Sequence, residues 1–332
     1  MNARIPTLRL AILAVGTVLA GFALTAAALG WSAHQYTSAR EAASATAQGT
    51  VIADDLADGN GGPDIKVRWS DAFGRIHVQG FGIYDTDRYR TGHSFPVAYD
   101  PARPGAMGFP GDPRETVGSD DVLMPVSFAA VGAALYLLGW ALRGAMFQWA
   151  TRLPARPMLA MALHGEPLSA NPVNLGGSTW LALAEPGTEG TQDRWQRVMW
   201  HPGIEGLRGS IDVLVHGDPR SRERLVVELA DGARLVPISR VRHRFPKKIR
   251  LSERSEVRSN LGAAVILPAG TPPVPRPPWW RRALVLAGIG AVCGAAFGLL
   301  VNGGAGSLAI VPFAAMGAVL LVNGWALTGG EP

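Results

Sequence analysis

Four stretches of the chain carry no polar rhythm at all. Leu10–Trp31, Val122–Leu142, Ala283–Gly304 and Ser307–Thr328 contain no Asp, Glu, Lys or Arg. Each is long enough, at about 20 residues or slightly more, to cross roughly 30 Å of hydrocarbon as a helix. A charge at the centre of such a helix costs about 2.5–3.5 kcal/mol, against about 0.3–0.6 kcal/mol gained per Leu, Ile, Val or Phe. The pattern therefore predicts four transmembrane helices, at 10–31, 122–142, 283–304 and 307–328. The first block exceeds the usual apolar core of a cleaved signal peptide and ends in bulky Trp31, so it reads as a span.

Between the first two blocks the rhythm changes to period two. "IKVRW" (65–69) and "RIHVQ" (75–79) alternate apolar and polar residues around the turn "SDAFG", which predicts a hairpin. "GTVIAD" (49–54) and "SFPVAY" (94–99) supply further strands, so 34–121 reads as a small β-domain. Residues 143–270 are also β-rich: "TWLALAE", "RWQRVMW", "IDVLVHG" and "LVVELADGARLVPIS" are short runs broken by turn residues. The last is a hairpin with Asp231-Gly232 at its tip. Five to seven strands here predict a small barrel or sandwich. Residues 271–282 form a proline-rich linker, a stiff spacer by composition. The expected fold class is an α+β integral membrane protein with two small antiparallel β-domains.

The second and fourth blocks share a text. "FAAVGAALYLLGWALRG" (128–144) and "FAAMGAVLLVNGWALTG" (313–329) match at 11 of 17 positions without a gap. A duplicated helical hairpin explains this better than shared membrane composition, because Phe and Trp recur in register. In the third block, Gly290, Gly294 and Gly298 repeat every fourth residue. Such a groove lets helix backbones approach closely, and it predicts a tight seam between repeats, or a homodimer seam. Trp140, Trp325, Trp279 and Trp280 are expected to anchor the helix ends at the headgroup level. Asn302 and Asn323 are expected to hydrogen-bond between helices.

Charge orients the spans. Residues 34–121 hold 8 Lys/Arg against 13 Asp/Glu, and residues 143–282 hold 21 against 12. Arg4, Arg9, Arg143, Arg152, Arg156, Arg276, Arg281 and Arg282 flank one side, and the positive-inside rule makes that side cytoplasmic. Residues 1–9, the other terminus and 143–270 are then expected in the cytoplasm, and 34–121 outside a bacterial plasma membrane. The run "RVRHRFPKKIR" carries Arg240, Arg242, Arg244, Lys247, Lys248 and Arg250. For a tethered domain, anionic lipid is the preferred partner, at about 1 kcal/mol per residue near the surface. A merely solvated face follows closely, and nucleic acid comes last.

The closing stretch of the first β-domain carries a resemblance. "GHSFPVAYDPARPGA" (92–106) resembles the signature of the bacterial membrane family "domain of unknown function 3592", in which flanking helices hold a small β-module. Gly49 and Val51 match its opening; Gly92, Pro96, Val97, Tyr99, Asp100, Pro101 and Pro104 match its close, with Phe95 where a smaller aliphatic residue is usual. The resemblance covers about residues 10–143 and implies a fold without an assigned activity. The motif itself reads as turn architecture: an edge-strand Pro96, an Asp100 that bonds nearby backbone, and a Tyr99 ring packed with its hydroxyl wet.

Catalytic chemistry leaves no trace in the motifs. The phosphate-loop, zinc-protease, serine-elbow and dinucleotide patterns are absent, and the seven histidines show no ligand spacing. The acidic stretch 53–64 fails the calcium-loop spacing at Gly62 and Trp69. Cys293 stands alone, so no intramolecular disulfide or cysteine-based zinc site forms. No catalytic, cofactor or metal residues are assigned. The expected role is a non-enzymatic protein presenting a β-module on each face for binding, scaffolding or envelope sensing, with a protein partner that the sequence does not identify. The alternative is a component of a transporter or channel.

Overall fold

The computed structural model describes residues 8–56, 63–115, 120–167, 177–187, 193–207, 209–221, 223–246, 249–253, 278–301 and 307–331. Four long helices are present among them: α1 (Arg9–Ala42), α2 (Asp120–Ala150), α3 (Arg281–Val301) and α4 (Ser307–Leu327). All four contain a stretch long and apolar enough to cross a membrane. Two of them overrun their expected spans. α1 continues eleven residues past Trp31, because residues 32–42 contain no Pro or Gly and are rich in helix formers such as Ala33, Gln35, Arg40 and Glu41. α2 carries Arg143 inside the helix and stops at Ala150, four residues before Pro154.

Two compact units divide the chain. One contains Leu19–Ala133 and Gly290–Gly317; the other contains Met1–Val18, Ala134–Ile289 and Ala318–Pro332.

In the first unit, five strands form one antiparallel sheet in the order β3-β2-β1-β4-β5. They are β1 (Ala45–Ala53), β2 (Ile65–Ser70), β3 (Ile76–Phe81), β4 (Ser94–Tyr99) and β5 (Phe109–Pro110). The period-two pattern does what it predicts on β2, where Ile65, Val67 and Trp69 are buried and the residues between them are exposed. Phe81, Phe95 and Tyr89 complete the core, with Phe95 set 5.1 Å from Phe81 and 4.9 Å from Tyr89. Gly49 lies opposite Trp69, and a Cβ there would meet Val67 Cγ1 at 2.5 Å, so the close pairing of β1 and β2 requires glycine. The extra turns of α1 set Tyr36 edge-on to Phe109 at 5.2 Å, which braces β5 against the helix.

The same unit holds the contact between α3 and α4. A Cβ on Gly294 would overlap the Phe313 carbonyl, one on Gly298 would meet the Phe313 ring at 2.9 Å, and one on Gly317 would overlap the Gly290 carbonyl. The glycine seam thus joins the two helices of the second hairpin rather than one repeat to the other.

In the second unit, seven strands build a curled antiparallel sheet: β6 (Ala155–Pro167), β7 (Ser178–Ala184), β8 (Arg194–Val198), β9 (Ser210–His216), β10 (Val226–Glu228), β11 (Arg234–Leu235) and β12 (Ile249–Glu253). The path runs β11-β10-β9-β6-β7-β8, with β12 paired to β6. Bridges Val198–Pro237 and Trp195–Arg242 return β8 to the segment after β11, so the sheet curls towards closure. Gly232 at the β10–β11 turn has φ +79°, where a side chain would be strained. Leu181, Leu183, Val198, Val215, Leu225 and Val227 are fully buried in its core.

Candidate functional site

The helix ends of the second unit meet its sheet across a continuous apolar layer. Leu10 and Ala14 of α1, Trp140, Phe147 and Ala150 of α2, Ala283 of α3, and Val322, Trp325 and Ala326 of α4 pack with Met199, Val226 and Val236 of the β-module. These residues belong to helices long and apolar enough to cross a membrane, yet here they bury against protein.

Polar groups then pin this layer in place. Asn323 is fully buried; its Oδ1 accepts from Trp140 Nε1 at 3.0 Å, and its Nδ2 donates to the Val319 carbonyl at 3.0 Å and reaches Thr17 Oγ1 at 3.4 Å. One amide therefore links α1, α2 and α4. Trp140 and Trp325 are 5% and 1% exposed, so they are internal struts and not the headgroup anchors their positions suggested. Trp280, 45% exposed, keeps the character of an interface residue.

The segment after α4 supplies the strongest tie. Gly330 has φ +64° and lets the chain turn back over the helix end. Glu331 is buried, and its carboxylate accepts from Thr179 Oγ1 of β7 at 2.8 Å, with His164 Nδ1 of β6 3.4 Å away. Its carbonyl accepts from Trp325 Nε1 at 2.8 Å and from Arg282 Nη1 at 3.2 Å. Trp200 N donates to the Gly329 carbonyl at 2.8 Å, and Arg197 donates to the Thr328 carbonyl. Arg9 enters from α1, donates to the Trp200 carbonyl at 2.8 Å and lies 5.2 Å and 5.5 Å from the Trp200 and Trp279 rings. Beside it, His201 Nδ1 accepts from Gly203 N at 3.1 Å and caps a short 3₁₀ turn. Burial, and then the positive charge of Arg9, hold the His201 imidazole below its ordinary pKa; Asp231 opposes them weakly. The arrangement ties the ends of α1, α3 and α4 to β6, β7 and the Trp200 segment. It is a clamp, in which three helix ends grip one β-module.

The motif residues of the first unit run along β4, from Gly92 before the strand to Asp100 and Pro104 after it. Gly92 has φ +89°, and its N–H donates to the Val51 carbonyl at 2.8 Å. Pro96 sits on β4, which lies between β1 and β5 and is therefore not an edge strand, contrary to expectation. Proline is tolerated because its carbonyl, which accepts from Gly111 N at 2.7 Å, points away from the β1 ladder, and so does its nitrogen. Val97 is fully buried and Pro104 is buried. Asp100 accepts from Ala102 N at 2.9 Å and from Arg103 Nε at 3.2 Å, the turn geometry expected of Asp before Pro101. The Ala102 hydrogen bond, against some desolvation, keeps this carboxyl below its ordinary pKa.

Tyr99 corrects its own expectation. Its hydroxyl is not wet: the residue is 4% exposed and the hydroxyl accepts from Ala72 N at 3.1 Å. That contact reaches a hub the sequence did not announce. Buried Asp71 accepts from Phe73 N, Arg75 N and Arg75 Nε at 2.9 Å each, with His77 Nε2 at 3.1 Å. Desolvation pushes its pKa up, but these four partners outweigh it and hold the carboxyl at about 2. A period-two count treats Asp71 as one more turn residue; the alternating donors Phe73, Arg75 and His77 were the only signal.

Comparisons with family models, curated proteins and solved structures each return no match.

The basic run is divided by the fold. Arg240, Arg244 and Arg250 are exposed, and Arg250 lies opposite Glu166 in the β12–β6 register. Arg242 lies 5.4 Å from the buried Trp180 ring, and its backbone pairs with Trp195. Lys247 and Lys248 fall outside the described residues, as do Asn302 and half of the acidic stretch 53–64, residues 57–62.

Proposed function

We propose that this chain is a non-enzymatic bacterial membrane protein that crosses the bilayer four times and presents one β-module on each face, for binding, scaffolding or envelope sensing. The clamp around Glu331 and Arg9 carries the reading. It makes the second β-module an extension of the helix ends, and helices of that length and apolarity fit a bilayer. A module held this way transmits displacement to the helices, which a module on a flexible linker does not. The charge asymmetry supports a cytoplasmic second module and cytoplasmic chain ends, with the first module outside. Anionic lipid on the cytoplasmic side follows from the same asymmetry. For the first module we keep the likeness to "domain of unknown function 3592", because Gly49, Gly92, Asp100 and Tyr99 each perform a distinct structural task in the sheet.

Reconstitution tests the role. Liposomes containing the protein are expected to show no ion current or solute flux above empty liposomes, while photoreactive residues at Phe73 and Arg244 in cells give a reproducible protein adduct on at least one face. Protein-dependent flux, with no adduct at either position, would transfer the chain to the transporter reading.

A further inference from the structure

The end of α2 and the adjoining face of the second β-module line an open cavity of about 610 Å³. Arg143, Arg224 and Arg240 line it, with Glu223 the single carboxylate among the lining residues and Met146 and Trp149 as an apolar wall. In sequence Arg240 belongs to a linear basic run; the fold instead joins it to Arg224 and to Arg143 of α2.

These cations are poorly matched by the protein itself. Among the described residues, none of the three forms an ion pair, although other arginines of the same module do, as Arg194 does with Glu185 and Arg234 with Glu228. The buried Arg143 Nη1 has no acceptor among the described residues, and its guanidinium lies 5.6 Å from the Trp140 ring. Among the described residues, Arg224 reaches the Met146 sulfur alone, at 3.4 Å, a weak acceptor. Arg224 and Arg197 act on Arg143 as like charges. Converging guanidinium forks with no carboxylate partner match the oxygens of a phosphate group.

A second feature leads into the same cavity. Leu135, Leu138, Leu142, Met146 and Trp149 are 64%, 55%, 55%, 46% and 59% exposed, and their three- and four-residue spacing places them on one face of α2. This apolar stripe ends at the cationic pocket. The combination has the chemistry of an amphiphile with an anionic head, and a free anion would leave the stripe unused.

We propose that the cavity binds the phosphate of an anionic phospholipid, with its acyl chain along the Leu135–Trp149 face. The inference rests on the membrane reading, since the stripe meets acyl chains only if α2 spans the bilayer. The test is native mass spectrometry of the full chain released from detergent, with phosphatidylglycerol, phosphatidylcholine or inorganic phosphate added. Phosphatidylglycerol is expected to stay bound, and the other two are not. Together, Arg143→Gln, Arg224→Gln and Arg240→Gln should weaken that binding on the order of a hundredfold, from about 1 kcal/mol per arginine. Arg240→Gln alone, at an exposed position, guards against misfolding and should weaken it about fivefold. Arg156→Gln with Arg220→Gln should leave it unchanged. Equal retention of both lipids, undiminished binding by the triple variant, or displacement of the lipid by inorganic phosphate would overturn the proposal. A chain that needs detergent yet selects no lipid sinks only this inference; a chain monodisperse without detergent sinks the membrane reading as well.

Discussion

Isoleucine at Gly294 forces α3 and α4 apart and costs the fold about 3 kcal/mol or more, whereas isoleucine at Gly132 changes little. The first Cβ would coincide with the Phe313 backbone carbonyl, which cannot move without displacing α4; the second meets nothing within 4 Å. Overpacking in a well-packed interior costs about 1–3 kcal/mol when side chains can yield, and a backbone contact yields less. Gly132 is the counterpart, in the duplicated text, of Gly317, where a Cβ would overlap the Gly290 carbonyl. The two copies thus share letters without sharing a packing role. Unfolding in mixed micelles, followed by helical circular dichroism against denaturing detergent, reads both variants. Equal losses at 294 and 132 would mean that both hairpins use their glycines alike.

Ending the chain after Thr328 should release the second β-module from the helix ends. The deletion removes the acceptors of Trp200 N, Trp325 Nε1, Arg282 Nη1 and Thr179 Oγ1. A buried donor left without a partner costs about 1–3 kcal/mol. Water reaches part of the opened clamp, so the expected loss is about 3–6 kcal/mol. Hydrogen exchange at Trp200 and protease cleavage within the second module should both accelerate, while the β2–β3 turn of the first module keeps its protection. Glu331→Gln retains an acceptor for Thr179 and the backbone carbonyl, and should cost about 1 kcal/mol. Unchanged exchange at Trp200 in the deletion would show that the apolar layer alone holds the module.

Sequence pattern revealed the parts governed by local rules. Charge-free length marked the four helices, and alternation marked β2 and β4 to within a residue. Asp231-Gly232 marked the β10–β11 hairpin. What it missed follows other rules. β6 reads as helix-forming Ala, Met and Leu, because both of its faces are apolar: Met158, Ala160 and Ala162 are buried while Leu159 and Met161 are half-buried. β5 is two residues long, too short to show any period. The apolar blocks of α1 and α2 stop at Ser32 and Arg143, but the end of an apolar stretch is not the end of a helix. Trp140 and Trp325 carry the letters of interface anchors, and only their neighbours decide that they are buried. The clamp and the arginine cavity are wholly non-local: Glu331 meets Thr179, and Arg143 meets Arg224, through folding alone.

Two-sided thiol labelling tests the central claim most directly. In a Cys293→Ala background, cysteine is placed at exposed Phe73 in the β2–β3 turn or at exposed Ala230 beside the β10–β11 turn. The account predicts that an impermeant maleimide labels Phe73→Cys on intact cells and labels Ala230→Cys only after the membrane is permeabilised. Labelling of both positions on intact cells would contradict it, because the two β-modules would then share one side of the membrane.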